Sequence, residues 1–271
     1  MSENQCIGFI GSGNMGTALI KGMIQSKLFS KQQLFAFDKD DKSLKRALDF
    51  FGLNRCNSIA EIMKSCSIVL LCVKPQNMQA ALDEIKMHVN EHHLIISIAA
   101  GITIEMIESL LGRNMSVIRV MPNTPALVQK GISALSAGGN VKPEDMRIAI
   151  KIFGAVGETV EVDESMMNAV TALSGSGPGF VFRIMECMVE SGVELGLDRH
   201  VSQRLVVQTL LGSACLAKNS DLSLSGLREM VTSPGGTTSA GLSIFEQMGL
   251  ESIVRRAIDA ACNRSLDLGR K

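Results

Sequence analysis

Tryptophan and tyrosine are absent from this chain, and phenylalanine is its only aromatic. Stacking platforms for nucleobases are therefore not expected. An excess charge of either sign is missing too, since 27 Lys and Arg balance 27 Asp and Glu. Without a basic field there is no argument for nucleic acid as a partner. Apolar runs long enough to span a membrane are lacking. The longest, at 68–73 and 94–100, have the length of buried strands. The seven cysteines include no CxxC pair and no histidine at ligand spacing. They read as reduced thiols, with no metal site expected. No basic, apolar leader precedes the first strand at Cys6, so the cytoplasm is the expected compartment.

What is present suits two domains of ordinary size: 271 residues, 46% hydrophobic and 20% charged. The first half alternates short apolar strands with helical patterns, which predicts an α/β fold with a parallel sheet. A strand at 6–10 runs straight into Gly11-Ser12-Gly13-Asn14-Met15-Gly16, and Ala18, Leu19, Gly22 and Met23 then recur at helical spacing. Strand, GxGxxG and helix in that order is the context of a dinucleotide-binding turn. The second strand, 34–37, ends at Asp38, which lies 22 positions after Gly16. That is the place of an acid that accepts from the adenosine ribose; Asp38 could equally open the turn before the next helix, with Asp40 or Asp41 as its cap.

Further strands are predicted at 67–73, 94–98, 116–121, 132–136 and 159–162, with helices at 42–51, 59–64, 77–89, 103–111 and 143–156. Lys74-Pro75 follows the 67–73 strand, so Lys74 stands at the carboxyl end of a central strand, where open α/β sheets bind ligands; the alternative is a surface lysine. Asn123 lies between Pro122 and Pro125 after the 116–121 strand. It reads as a contact to a cofactor amide or a substrate, or as part of a rigid connector.

Strand signals stop after Asp163. Helices are predicted at 166–173, 180–195, 201–217, 224–231, 237–248 and 252–268, with Ser174-Gly175-Ser176-Gly177-Pro178 breaking the first from the second. The organisation is therefore an N-terminal Rossmann domain, 1–163, followed by an all-helical domain, 164–271. The 201–217 helix is apolar around most of its circumference, which predicts burial against a partner subunit and hence a dimer. Between two of these helices lies Ser233-Pro234-Gly235-Gly236-Thr237-Thr238. It is a turn poor in Cβ atoms feeding a helix N-terminus, suited to a small carboxylate, or else an ordinary helix–helix turn capped by Thr237 or Ser239.

The stretch 227–242, LREMVTSPGGTTSAGL, closely resembles the signature of the Δ1-pyrroline-5-carboxylate reductases. Gly11/Gly13/Gly16, Val73-Lys74-Pro75-Gln76, Ala99-Ala100-Gly101, the 121–125 segment MPNTP and the 173–178 segment LSGSGP match that family in order. The resemblance spans essentially the whole chain. It implies a Rossmann domain plus a helical dimerisation domain, and reduction of a cyclic imine carboxylate to proline by NADH or NADPH. It implies a cofactor site at Gly11, Gly13, Asn14, Met15, Gly16, Asp38, Asn57, Val73, Lys74, Pro75, Ala99, Ala100, Gly101 and Asn123. Substrate would be held by Lys74, Ser233, Gly235, Gly236, Thr237 and Thr238, with the Thr238 hydroxyl beside the ring nitrogen as the catalytic group. Asp38 favours NADH, because a carboxylate repels a 2′-phosphate. A homodimer, or a larger assembly built from dimers, is the implied state. Two other readings share the architecture: another imine or β-hydroxyacid reductase, and a non-catalytic dinucleotide sensor. The β-hydroxyacid enzymes need a lysine on the long interdomain helix, and residues 180–195 contain Arg183 and no lysine.

Overall fold

The computed structural model describes residues 5–112 and 114–269. Contacts divide the chain into two compact units, Met1–Ser176 with Ala261–Lys271, and Gly177–Ala260.

In the first unit the strands β1 (Ile7–Ile10), β4 (Ile68–Leu71) and β5 (Leu94–Ser97) are buried at every position. Strands covered on both faces carry near-continuous apolar runs, as these do. They lie in one sheet with β2 (Leu34–Phe37), β3 (Asn54–Arg55), β6 (Ser116–Met121), β7 (Gly131–Ala137) and β8 (Gly157–Glu161). The order is β3-β2-β1-β4-β5-β6-β7-β8, parallel throughout except for the β6–β7 pair. Chain order reverses between β1 and β4, and the crevice at their carboxyl ends is where such sheets take a ligand.

Alternate residues supply separate cores on the two faces. Phe9, Leu70, Ile96 and Ile118 pack with α1 (Asn14–Gln25), α2 (Asp41–Phe51) and α6 (Pro143–Gly154). Ile10, Val69, Leu71 and Val117 pack with α3 (Ile59–Ser65), α4 (Met78–Ile85) and α5 (Ile104–Leu111). Asp40 caps α2 through the Lys42 N–H, Ser58 caps α3 and Thr103 caps α5.

Three sequence expectations change. The two-residue β3 was not anticipated; it is a polar edge strand whose Asn54 amide donates to the Gln32 carbonyl at 2.8 Å. The helix expected at 77–89 begins instead with a 3-10 turn at Pro75–Asn77 and ends at Ile85. The glycine-rich 174–178 segment does not break the chain into a loop. After the short α7 (Met167–Val170), a π turn, Thr171–Gly175, carries the backbone on to α8 (Gly177–Glu194). Pro178 sits in the first turn of α8, where a missing N–H costs nothing.

One buried charge was also missed. Arg119, on β6, is 4% exposed and pairs with Glu164 at 3.2 Å. Glu164 Oε1 also accepts the Ile104 N–H at 2.7 Å, so a single carboxylate ties β6 and the start of α5 to the turn after β8.

In the second unit α8 and α9 (Arg199–Asn219) form a helical hairpin, with Asp198 accepting from the N–H groups of His200 and Val201. α10 (Leu224–Met230) and α11 (Thr237–Gln247) follow, and α12 (Leu250–Gly269) begins there. Val189 and Val206 are its buried apolar residues, whereas Phe182, Leu205, Leu211, Phe245 and Ile253 are each more than half exposed. Apolar exposure on this scale marks a face made to be covered.

Candidate active site

The chain leaving β1 turns at Gly11, whose φ of +103° belongs to glycine. A Cβ there would stand 2.7 Å from the Cys72 carbonyl oxygen, just beyond β4. One at Gly16 would stand 2.7 Å from the Gly11 carbonyl. Those two glycines are demanded by backbone packing. Gly13 differs: it is exposed, and a Cβ on it would meet nothing within 4 Å. Its missing side chain leaves open the outer face of the loop, at the N-terminus of α1, which no side chain caps. Uncapped N–H groups, the positive end of the helix dipole and an open approach together fit a pyrophosphate. Burial pushes the Cys72 thiol up to about 12, so no thiolate charge opposes an anion there.

Other expected residues gather along the same carboxyl edge. Val73 is half-buried, and Lys74, exposed, starts the 3-10 turn at Pro75 after β4. Ala99, Ala100 and Gly101 follow β5; Gly101 has φ +77° and lies against the end of α12, where a Cβ would come within 3.0 Å of the Gly269 nitrogen. Asn14 and Met15 form the first turn of α1. Asn57 follows β3 at the mouth of α3, exposed, with its side chain accepting from Arg55 Nε at 3.2 Å. Asp38 closes β2, and its Oδ2 accepts the Ser12 N–H at 2.7 Å and the Ser12 hydroxyl at 2.9 Å. The sequence reading gave Ser12 no role.

Asn123 is committed to the protein. Its Oδ1 accepts the Ile132 N–H at 3.0 Å, and its Nδ2 donates to Ser174 Oγ, on the π turn, at 3.3 Å.

The 233–238 turn lies in the second unit. Gly235 has φ +68°, the Gly236 N–H donates to the Ser233 carbonyl at 3.0 Å, and α11 starts at Thr237 with Gly236 as its N-cap. Capping by Thr237 or Ser239, the alternative reading, does not occur, and no side-chain hydrogen bond caps that helix end. Ser233, Gly235, Thr237 and Thr238 are exposed. Exposed hydroxyls thus stand beside an uncapped helix N-terminus, a combination suited to gripping a carboxylate.

Comparison with known proteins shows the family. Residues 164–268 match the model described as pyrroline-5-carboxylate reductase dimerisation, and residues 6–101 match one described as NADP oxidoreductase, coenzyme F420-dependent. A pyrroline-5-carboxylate reductase of Methanosarcina acetivorans is 40% identical over 99% of this chain and 100% of its own length. The chain belongs to the pyrroline-5-carboxylate reductase family. The reductase of Pseudomonas aeruginosa is 39% identical over 97% of this chain and 96% of its own. Among solved structures, the Coxiella burnetii reductase superposes with a TM-score of 0.91 at 32% identity, covering 99% and 100% of the two chains. The Plasmodium falciparum reductase, solved with NADP bound, gives 0.88 at 34%, covering 98% and 99%. The expected fold, a Rossmann domain followed by a helical dimerisation domain, is that of this reductase family.

The glycines separate folding from binding in a testable way. Gly13→Ala should melt within about 1 kcal/mol of the parent, because nothing opposes the new methyl group and its φ of −67° is ordinary. Its affinity for the dinucleotide should fall at least about tenfold, since each tenfold is only about 1.4 kcal/mol of lost approach. Gly16→Ala should instead lower the melting temperature clearly. Thermal melting and a fluorescence titration with NADH read the two effects apart, and a Gly13→Ala protein that binds like the parent would refute the assignment.

Proposed function

We propose that the protein reduces Δ1-pyrroline-5-carboxylate to L-proline with NADH or NADPH, the last step of proline biosynthesis. The full-length similarity to reductases of that name carries the reading, supported by the uncapped α11 N-terminus at the 233–238 turn. The dinucleotide supplies a hydride to the imine carbon. Everything else falls to the chain. Gly11, Gly13, Asn14, Met15 and Gly16 hold the pyrophosphate at the start of α1, with Asp38 and Asn57 toward the adenosine. Val73, Lys74, Pro75, Ala99, Ala100, Gly101 and Asn123 line the edge toward the nicotinamide.

The turn of Ser233, Gly235, Gly236 and Thr237 grips the substrate carboxylate through its hydroxyls and the N–H groups not already bonded within the turn, Gly236 serving as the uncapped helix entry, and Lys74 adds a positive charge. The Thr238 hydroxyl bonds the ring nitrogen, which takes up the electron pair of the C=N bond as it becomes an amine. The reaction needs no strong protein acid if the imine arrives protonated, and orientation then supplies much of the acceleration.

The exposed apolar surface of the helical unit supports a homodimer in which that unit is central. The cytoplasm is its proposed compartment, and no helix among the described residues is long and apolar enough to cross a membrane.

Three measurements follow. In steady-state assays with pyrroline-5-carboxylate, kcat/KM should be higher with NADH than with NADPH, since the Asp38 carboxylate opposes a 2′-phosphate; the reverse ratio would sink the preference. In sedimentation, the active species at micromolar concentration should be a dimer or a multiple of it, and a folded, active monomer would refute the assembly. Thr238→Val should melt like the parent yet lose about tenfold to a hundredfold in kcat/KM, as expected for one hydrogen bond to a charged group. Thr238→Ser should retain most activity. A Thr238→Val enzyme turning over at the parent rate would remove the hydroxyl from the chemistry.

A further inference from the structure

We infer that Asp38 is a positioning residue: its carboxylate locks Ser12 in place and so fixes the shape of the pyrophosphate-binding loop for either dinucleotide. The inference rests on the dinucleotide reading of that loop but not on the identity of the substrate.

Ser12 is the single residue between Gly11 and Gly13, and it is 1% exposed. Every polar group it owns is committed. Its N–H and its hydroxyl both donate to Asp38 Oδ2, at 2.7 and 2.9 Å, and its carbonyl accepts the Thr17 hydroxyl at 3.0 Å. Beside it the Gly11 N–H donates to the Phe37 carbonyl at 2.8 Å, so two consecutive residues of the loop are pinned to the end of β2.

A segment with glycine on both sides of a single ordinary residue is conformationally loose, and ordering it on binding would weaken affinity. Two hydrogen bonds to an ionised oxygen, each stronger than a neutral one, remove that looseness in advance. The aim of the Gly13 and α1 N–H groups then depends on a residue just past the end of β2.

The same geometry limits what Asp38 can do for a ribose. An ionised carboxylate offers about four acceptor positions. Ser12 takes two, and the Asp40 N–H takes a third, on Oδ1 at 2.9 Å. With one position left, Asp38 cannot hold both ribose hydroxyls while it keeps the loop. Its influence on NADH against NADPH is then largely one of charge, whereas its hydrogen bonds serve both cofactors alike.

The test compares NADH with its analogue lacking the 2′-hydroxyl on the adenosine ribose, by fluorescence titration of the full-length protein well below its melting temperature. Asp38→Ala should weaken both ligands by about tenfold or more, and Ser12→Ala should weaken both by about threefold, although the Ser12 side chain faces Asp38 and not a ribose. If Asp38→Ala does not fold, Asp38→Asn takes its place and should weaken the two ligands by the same factor.

The inference is overturned if the Asp38 variant loses affinity for NADH but binds the 2′-deoxy analogue as the parent does. It is also overturned if Ser12→Ala binds both ligands like the parent while melting lower, because Ser12 would then serve stability alone. A parent protein that binds NADH and leaves pyrroline-5-carboxylate unreduced would remove the substrate reading and leave the Asp38 lock standing.

Discussion

The constraint on which the rest of the site depends is the passage of the chain past Cys72 as it leaves β1. At Gly11 the backbone lies so close to the Cys72 carbonyl that a Cβ would have to sit 2.7 Å from its oxygen. Two parallel strands part there, and the chain must turn at once to bring α1 back over the sheet. The turn sets Gly16 against the Gly11 carbonyl, aims the α1 N-terminus along the carboxyl edge and leaves Gly13 on the open side. The proposed anion site is thus a by-product of packing: what the loop must do to fit also leaves the α1 N-terminus without a side-chain cap.

The two units meet the demand for buried surface in different ways. The sheet unit fills both of its faces with alternate residues of the same strands and needs nothing else to form a core. The helical unit leaves Phe182, Leu205, Leu211, Phe245 and Ile253 in the open. Helices apolar on several sides fold stably when a second surface covers them, which is the physical content of a dimerisation unit. The 233–238 turn is carried by that same unit, so the proposed substrate grip is as well ordered as the dimer makes it.

Several residues chosen for their chemistry turn out to be busy with the fold. Asn123 spends its amide on Ile132 and Ser174, and Asp38 spends most of its carboxylate on Ser12 and Asp40. Polar side chains near a binding edge serve two ends: they satisfy backbone groups that would otherwise be orphaned, and in doing so they fix the surfaces a ligand meets. Arg119 and Glu164 do the first inside the sheet unit.

Much of this was legible in the chain of letters. Strands such as 68–71 and 94–97 are unbroken apolar runs, and the GxGxxG between a strand and a helix has few other uses, so the Rossmann order followed from local pattern alone. The helical second half, the turn at Ser233-Pro234-Gly235-Gly236 and the family itself were also readable, because helix periods and glycine-proline punctuation are local signals. Tertiary structure alone decided the rest. Whether Gly13 or Gly16 faces space depends on which backbone lies opposite, and β3 exists only because β2 offers it an edge. That the chain through 174–178 passes from a π turn into α8 without a loop depends on neighbours such as Met121 and Asn123 that lie some fifty residues earlier. The pairing of Asp38 with Ser12 joins residues 26 positions apart. Periodicity specifies which way a side chain faces, but a hydrogen bond between two strand ends exists only once the sheet has brought them together.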